Sequence, residues 1–268
     1  MVKTEFRLRM EDRLANWYKG ANPNPDQTLQ KRRKYVASLV NKSVMFDYAK
    51  RMNLPMPERF ADVKTADELD FSTLPETVVI KPNNSADNDC VMLFDGPREI
   101  FTGDIVPVER RAEYVRSTFA KGRETNAFTR ILAEEFVRDY DESYVVPRDF
   151  KVFVAGGKSH VIQVVDRVGS KKEWSHRYYN RDWEAYGDFQ GSNRFGETIP
   201  KPPHYQDLLR LSDKIAADIG CFMRLDFYIT RSRVVFGEFT SYPNAGMHFT
   251  ELGNGVMVGL MDKFPDPF

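Results

Sequence analysis

The chain has 268 residues, of which 41% are apolar and 13% aromatic, enough for a sizeable core and too hydrophobic for a largely disordered protein. Its 39 basic residues balance 39 acidic ones for a net charge of zero, without a long run of either sign, which argues against a generic nucleic-acid or membrane-surface binder. Only Cys90 and Cys221 are present, so neither a disulfide framework nor a cysteine zinc site is suggested.

The first twenty residues carry scattered charges rather than the apolar core of a signal peptide, and no later stretch reaches transmembrane length. The expected compartment is the cytoplasm. A turn-rich break, Ala21-Asn22-Pro23-Asn24-Pro25-Asp26, separates two helix-like stretches. Residues 31–53 read as one helix, with Tyr35, Leu39, Val40, Met45, Phe46 and Ala49 near helical spacing, stopped by Leu54-Pro55-Met56-Pro57. Thr77-Val78-Val79-Ile80 is a β-branched run that reads as a buried strand leading into Lys81-Pro82 and a polar loop, 83–89. Val91 to Phe94 and Ile131 to Val137 are further strands, and the tyrosine-rich segment 138–146 reads as a connection between two lobes. Phe150 to Ala155 and Ser159 to Val165 form a hairpin turning at Gly156-Gly157. Leu208 to Ile219 is an amphipathic helix ending at Gly220. Met223 to Thr230 and Val234 to Thr240 are antiparallel strands, which makes the whole α+β.

Period-two geometry places Arg224, Asp226 and Tyr228 on one face of the first of these strands, and Glu238 and Thr240 on one face of the second. Two carboxylates on paired strands suit magnesium bridging nucleotide phosphates, and Arg224 beside them suits a phosphate. The same residues would also serve as a cross-strand salt-bridge cluster on a solvated face, so the strands alone leave both readings open. Lys81 at a strand end can aim an ammonium at phosphate or lie on the surface, and Lys42 carries less. Glu134 and Glu135 cannot both be comfortable inside an apolar strand, so at least one must meet solvent or a ligand. Asp166-Arg167 and the aromatic, basic segment 171–183 are candidates for recognising an anionic or sugar-like acceptor, with a plain surface loop as the alternative. His160, His176, His204 and His248 lack metal-ligand spacing.

In this order the segments resemble the ATP-grasp superfamily from Asn41 to Gly246. Asn41-Lys42-Ser43 with the exit Leu54-Pro55-Met56-Pro57, the strand Val78-Val79-Ile80-Lys81-Pro82, the hinge Leu132-Ala133-Glu134-Glu135-Phe136-Val137, and Arg224-Leu225-Asp226 followed by Glu238 are similar to its motifs. The motifs Arg148-Asp149-Phe150-Lys151-Val152-Phe153, Asp166-Arg167, Tyr179 to Trp183 and Phe236 to Pro243 look closest to its TupA-like, teichuronopeptide-biosynthesis branch.

The resemblance implies an ATP-grasp fold of two α/β lobes with nucleotide between them and a mainly antiparallel sheet in the C-terminal lobe. It divides the chain into a helical extension (1–30), an N-terminal lobe (31–137) and a C-terminal lobe (138–268). It implies ATP and Mg2+ as cofactors, with Lys42 and Lys81 on phosphates, Glu134, Glu135, Phe136 and Val137 at the adenine, and Asp149 at the ribose. Asp226, Glu238 and Asn244 would hold magnesium, and Arg224, Lys151 and Arg167 would be catalytic. The implied reaction is ADP-forming ligation of a small-molecule carboxylate, a sugar acid or peptide among the implied classes, to an amine through an acyl phosphate. An ATP-grasp kinase acting on a hydroxyl and a non-catalytic nucleotide-binding relative are the alternatives. The implied protein works as a monomer or homodimer, without nucleic acid or a membrane span. The chain departs from the family pattern in its glycine-free loop 83–89 and in Thr240, where many relatives carry asparagine.

Overall fold

A computed structural model of the protein describes residues 3–83, 90–123, 129–167, 173–191 and 194–268. Most of the glycine-free loop (84–89), together with Lys171 and Lys172 of the acceptor segment, lies outside the described residues. The helices are α1 (Glu5–Trp17), α2 (Gln27–Ser38), α3 (Lys42–Arg51), α4 (Val108–Arg123), α5 (Tyr205–Ile219) and α6 (Glu251–Lys263). The strands are β1 (Arg59–Val63), β2 (Val78–Pro82), β3 (Met92–Asp95), β4 (Arg98–Glu99), β5 (Ile131–Glu135), β6 (Asp149–Ala155), β7 (Lys158–Asp166), β8 (Ser175–Asn180), β9 (Arg194–Phe195), β10 (Met223–Ile229) and β11 (Val234–Thr240).

The chain forms two compact units, one of residues 41–43 and 56–137, the other of residues 1–40, 44–55 and 138–268. Residues 31–40 and 44–55 thus belong with the C-terminal residues, whereas the sequence reading grouped 31–137 together. The single helix expected over 31–53 is two helices, α2 and α3. Their junction is set by Asn41, whose side-chain oxygen accepts the Ser43 N–H at 2.9 Å and so caps α3, while apolar residues keep helical spacing across the break.

The smaller unit is built on a five-stranded antiparallel sheet in the order β1-β5-β2-β3-β4. Alternate residues Val78 and Ile80, Met92 and Phe94, and Ile131 and Ala133 are buried with Val115 and Phe119 of α4. The opposite face therefore carries Val79 and Lys81 of β2 and Leu132 and Glu134 of β5. β1, which the sequence did not suggest, pairs with β5 and sets Arg59 opposite Glu134.

The larger unit holds a six-stranded sheet in the order β11-β10-β6-β7-β8-β9, antiparallel except for the short β8–β9 pair. The β6–β7 hairpin turns at Gly156 and Gly157, whose φ of 55° and 78° match a primed two-residue turn, and a Cβ at Gly156 would collide with the ring of Phe264. Phe153, Val161 and Tyr178 are buried with Phe6 and Met10 of α1 and Met257 of α6. Phe150, Val152, Ile162, Leu225 and Phe227 alternate with them on the other face and are fully buried, each worth about 1.5–3 kcal/mol. α5 packs on β6, β7 and β10 and ends at Gly220 (φ 72°), whose N–H bonds Ala216 O at 2.9 Å.

α1 is anchored from within: the buried Arg13 donates from one guanidinium nitrogen to Phe222 O (2.6 Å) and Ser241 O (3.0 Å). These carbonyls stand at the start of β10 and the end of β11, so one side chain closes the open end of that hairpin. The segment 175–180, part of the stretch read from sequence as a candidate for acceptor recognition or else a plain surface loop, is strand β8, with His176, Tyr178 and Tyr179 buried. Among the described residues no helix is long and apolar enough to cross a membrane.

Candidate active site

The candidate residues fall into two clusters, one in each unit. In the larger unit, strand register brings Glu238 opposite Asp226, Asp226 opposite Lys151, and Lys151 opposite Gln163. Residues directly opposed on neighbouring strands share a face, so these four form one polar row. A bulge places Gly237 as the extra residue between Phe236 and Glu238, and a Cβ there would lie 3.1 Å from Asp226 O.

Charges alternate along this face. Arg224 grips Asp226 with both arms, Nε to Oδ1 at 2.7 Å and Nη2 to Oδ2 at 2.8 Å. Lys151 Nζ donates to Asp226 Oδ2 at 2.5 Å and lies 3.4 Å from Asp149 Oδ2. Arg167 pairs with Asp149 in turn. Burial alone would raise the Asp226 carboxyl, but Arg224 and Lys151 hold it well below the usual carboxylate range. Burial likewise opposes charging of Arg224 and Arg167, and Asp226 and Asp149 respectively more than offset it. Glu238 is half-buried and acts electrostatically on Arg224, Arg167 and Tyr228. Arg167 also lies over the Trp174 ring, 5.2 Å from its centre.

The donor set fits magnesium in one respect. Asp226 and Glu238 supply hard carboxylate oxygens from adjacent strands. Among the described residues no group of three or more His, Cys, Asp and Glu could hold a metal by itself, so a cation here would complete its shell with phosphate oxygens and water. Thr240 stands opposite Arg224. Asn244 is exposed on the turn Pro243–Gly246, which packs against α1, and takes a left-handed φ of 49°.

In the smaller unit Glu134 is buried and receives Arg59 at 2.9 Å and 3.2 Å, and Lys81 pairs with it from β2. Burial works against the Glu134 charge, and Lys81 and Arg59 nevertheless hold its carboxyl below the ordinary value. The side chain that the family pattern sets against adenine is thus engaged by two cations. Glu135 is half-buried and accepts the Glu58 N–H at 3.1 Å, while Phe136 and Val137 are buried. Lys42 is buried at the start of α3, and its backbone N–H bonds Asn83 O at 3.3 Å, next to the end of β2. Arg59 escaped the sequence reading because it follows Pro55-Met56-Pro57 in a stretch without periodicity; the unpaired Glu134 was the signal that a cation was owed.

These two sheets with their lysine- and carboxylate-bearing faces are those of an ATP-grasp protein. D-alanine–D-alanine ligase from Bacillus anthracis, solved with ATP, superposes with a TM-score of 0.53 at 12% identity, over 86% of this chain and 66% of that one. The enzyme from Helicobacter pylori gives 0.50 at 14% identity, over 85% and 62%. D-alanyl-alanine synthetase A from Vibrio cholerae gives 0.51 at 11%, over 80% and 59%. The chain thus spans 59% to 66% of the length of these structures. More particularly, the family model of the TupA-like ATP-grasp proteins matches residues 25–256, and the chain belongs to that family. No curated protein sequence matches it.

Proposed function

We propose that the protein is an ADP-forming carboxylate-amine ligase that uses Mg-ATP. The observation that carries this reading is the alternating row Arg167, Asp149, Lys151, Asp226 and Arg224, with Glu238 opposite, in a chain of this family. Such a row holds cations in fixed positions without side-chain reorganisation, as stabilisation of a transferring phosphoryl group requires.

In this reading a substrate carboxylate oxygen attacks the γ-phosphorus, the bond to the β-bridging oxygen breaks, and ADP leaves. An amine lone pair then attacks the acyl carbon, inorganic phosphate departs, and the amine proton passes to solvent. Magnesium, when bound, neutralises phosphate charge, and Asp226 and Glu238 would hold it, with Asn244 or Thr240 as a further oxygen. Arg224 steadies the transferring phosphoryl group. Lys151 and Arg167, oriented by Asp149 at the ribose side, neutralise charge beside it. Lys42 and Lys81 contact phosphates, and the backbone of Glu134, Glu135, Phe136 and Val137 receives adenine, leaving the Glu134 carboxylate to aim Lys81.

The substrate class favoured is an anionic sugar acid or peptide in cell-envelope polysaccharide assembly, because Arg167 stacked near Trp174 suits a carboxylate beside an apolar ring face. The protein would act in the cytoplasm as a monomer or homodimer.

The test is release of ADP and phosphate with pooled amino acids, amines and sugar acids. ADP with free phosphate and an amide product supports ligation. A phosphorylated product without free phosphate would instead assign a hydroxyl acceptor, and absence of nucleotide binding by calorimetry would end the reading.

A further inference from the structure

Phosphoryl-transfer sites bring positive charge to the nucleotide phosphates, in many enzymes as two divalent ions shared by protein carboxylates. A carboxylate that bridges two ions must give an oxygen lone pair to each. Asp226 has little left to give. Its Oδ2 already accepts Arg224 Nη2 at 2.8 Å and Lys151 Nζ at 2.5 Å, which uses both lone pairs of that oxygen. Its Oδ1 accepts Arg224 Nε at 2.7 Å, leaving one position.

Three further observations point the same way. Asp149, Asp226 and Glu238 are matched by Lys151, Arg167 and Arg224, so the cluster offers no net negative charge to draw in a pair of dications. Thr240, opposite Arg224, supplies a neutral hydroxyl where a third strong oxygen ligand would strengthen the shell, and Asn244 is exposed on the next turn. Lys151 is also no wandering surface chain: it is 9% exposed, sits opposite Asp226 by strand register, and lies within 3.4 Å of Asp149 on its other side.

We propose that Lys151 stands in for a second metal ion, so that this chain binds its nucleotide with a single divalent cation held by Glu238 and the remaining lone pair of Asp226. The inference rests on the nucleotide-binding reading above. Lys151 then supplies a fixed ammonium at the phosphates, which needs no free metal and cannot be stripped by a chelator.

The experiment is a count of bound Mn2+ per bound adenylyl imidodiphosphate, read from the loss of the free Mn2+ electron paramagnetic resonance signal on the full chain. One ion is expected for the wild type and for Lys151→Arg, which keeps the charge. Two are expected for Lys151→Met and for Lys151→Leu, the latter a neutral side chain of different shape should the methionine variant not fold. Two ions on the wild-type complex would overturn the inference while leaving the nucleotide site standing. One ion in the neutral variants would remove the role assigned to Lys151. No nucleotide binding would overturn the functional reading and this inference with it.

Discussion

Asp226 and Glu238 face each other across two neighbouring strands, and the residue between Phe236 and Glu238 is a glycine whose absent Cβ would press on the Asp226 carbonyl at 3.1 Å. The pairing of the two carboxylates therefore depends on a bulge that a larger residue would open. Gly237→Ala should cost about 1–3 kcal/mol by overpacking and Gly237→Val more. Urea denaturation checks the order, and equal stability of all three proteins would contradict the close approach.

Asp226→Asn removes the negative partner of two buried cations at once. Loss of one side of a buried ion pair costs about 3–5 kcal/mol. For a protein of this size the melting temperature should fall on the order of 10 °C. ADP release should be abolished in the same variant. A variant that melts with the wild type and turns over normally would contradict both the pairing and the assigned role.

Stability below pH 4 should follow the same carboxyl. Burial pushes against its ionisation, yet Arg224 and Lys151 hold it at about 2, against an ordinary value of 3.8. The unfolded chain therefore takes up this proton first as the pH falls. The stabilisation is complete above about 4 and is lost as the pH falls through about 2. Denaturation midpoints measured between these limits should slope less steeply in Asp226→Asn.

His176 sets a second dependence, at higher pH. Its ring is buried, bonds Gln190 O at 2.8 Å, and is pushed below the ordinary 6.5 by burial. Below that value the unfolded chain binds a proton that the folded one resists, so stability should decline as the pH falls from there. His176→Gln should flatten that decline, measured by thermal melts from pH 7 to pH 5.

Lys81 and Arg59 share Glu134 but should separate in function. Lys81→Ala should weaken ATP binding on the order of tenfold by calorimetry, the scale of a lost charged hydrogen bond. Arg59→Ala should act mainly on stability, by about 1–3 kcal/mol, since Lys81 still satisfies Glu134. Unchanged nucleotide affinity in Lys81→Ala would remove it from the phosphate site.

Much of this was legible before any coordinates. The β10 and β11 strands, their shared face and the Gly156-Gly157 turn follow from period two and from glycine's freedom at positive φ. The helix 31–53 was misread because hydropathy runs on through Leu39 and Val40, while the break lies in the side-chain chemistry of Asn41. β8 was hidden by its His176, Arg177 and Asn180, polar side chains that mask the strand pattern although His176 is buried once β8 pairs with β7. Partners of the site carboxylates were least visible, because Arg59 and Lys151 reach Glu134 and Asp226 through sheet register, which no local pattern encodes.

The strand that bears Asp149 and Lys151 has a consequence for motion. β6 is buried at all seven positions and hydrogen-bonded on both sides, to β10 and to β7. Its amides can meet deuterium only when the whole sheet opens, so they should be the slowest to exchange in the molecule. The charges of Asp149 and Lys151 are thus mounted on the part of the chain that breathes least, and their spacing should hold while other segments of the larger unit fluctuate.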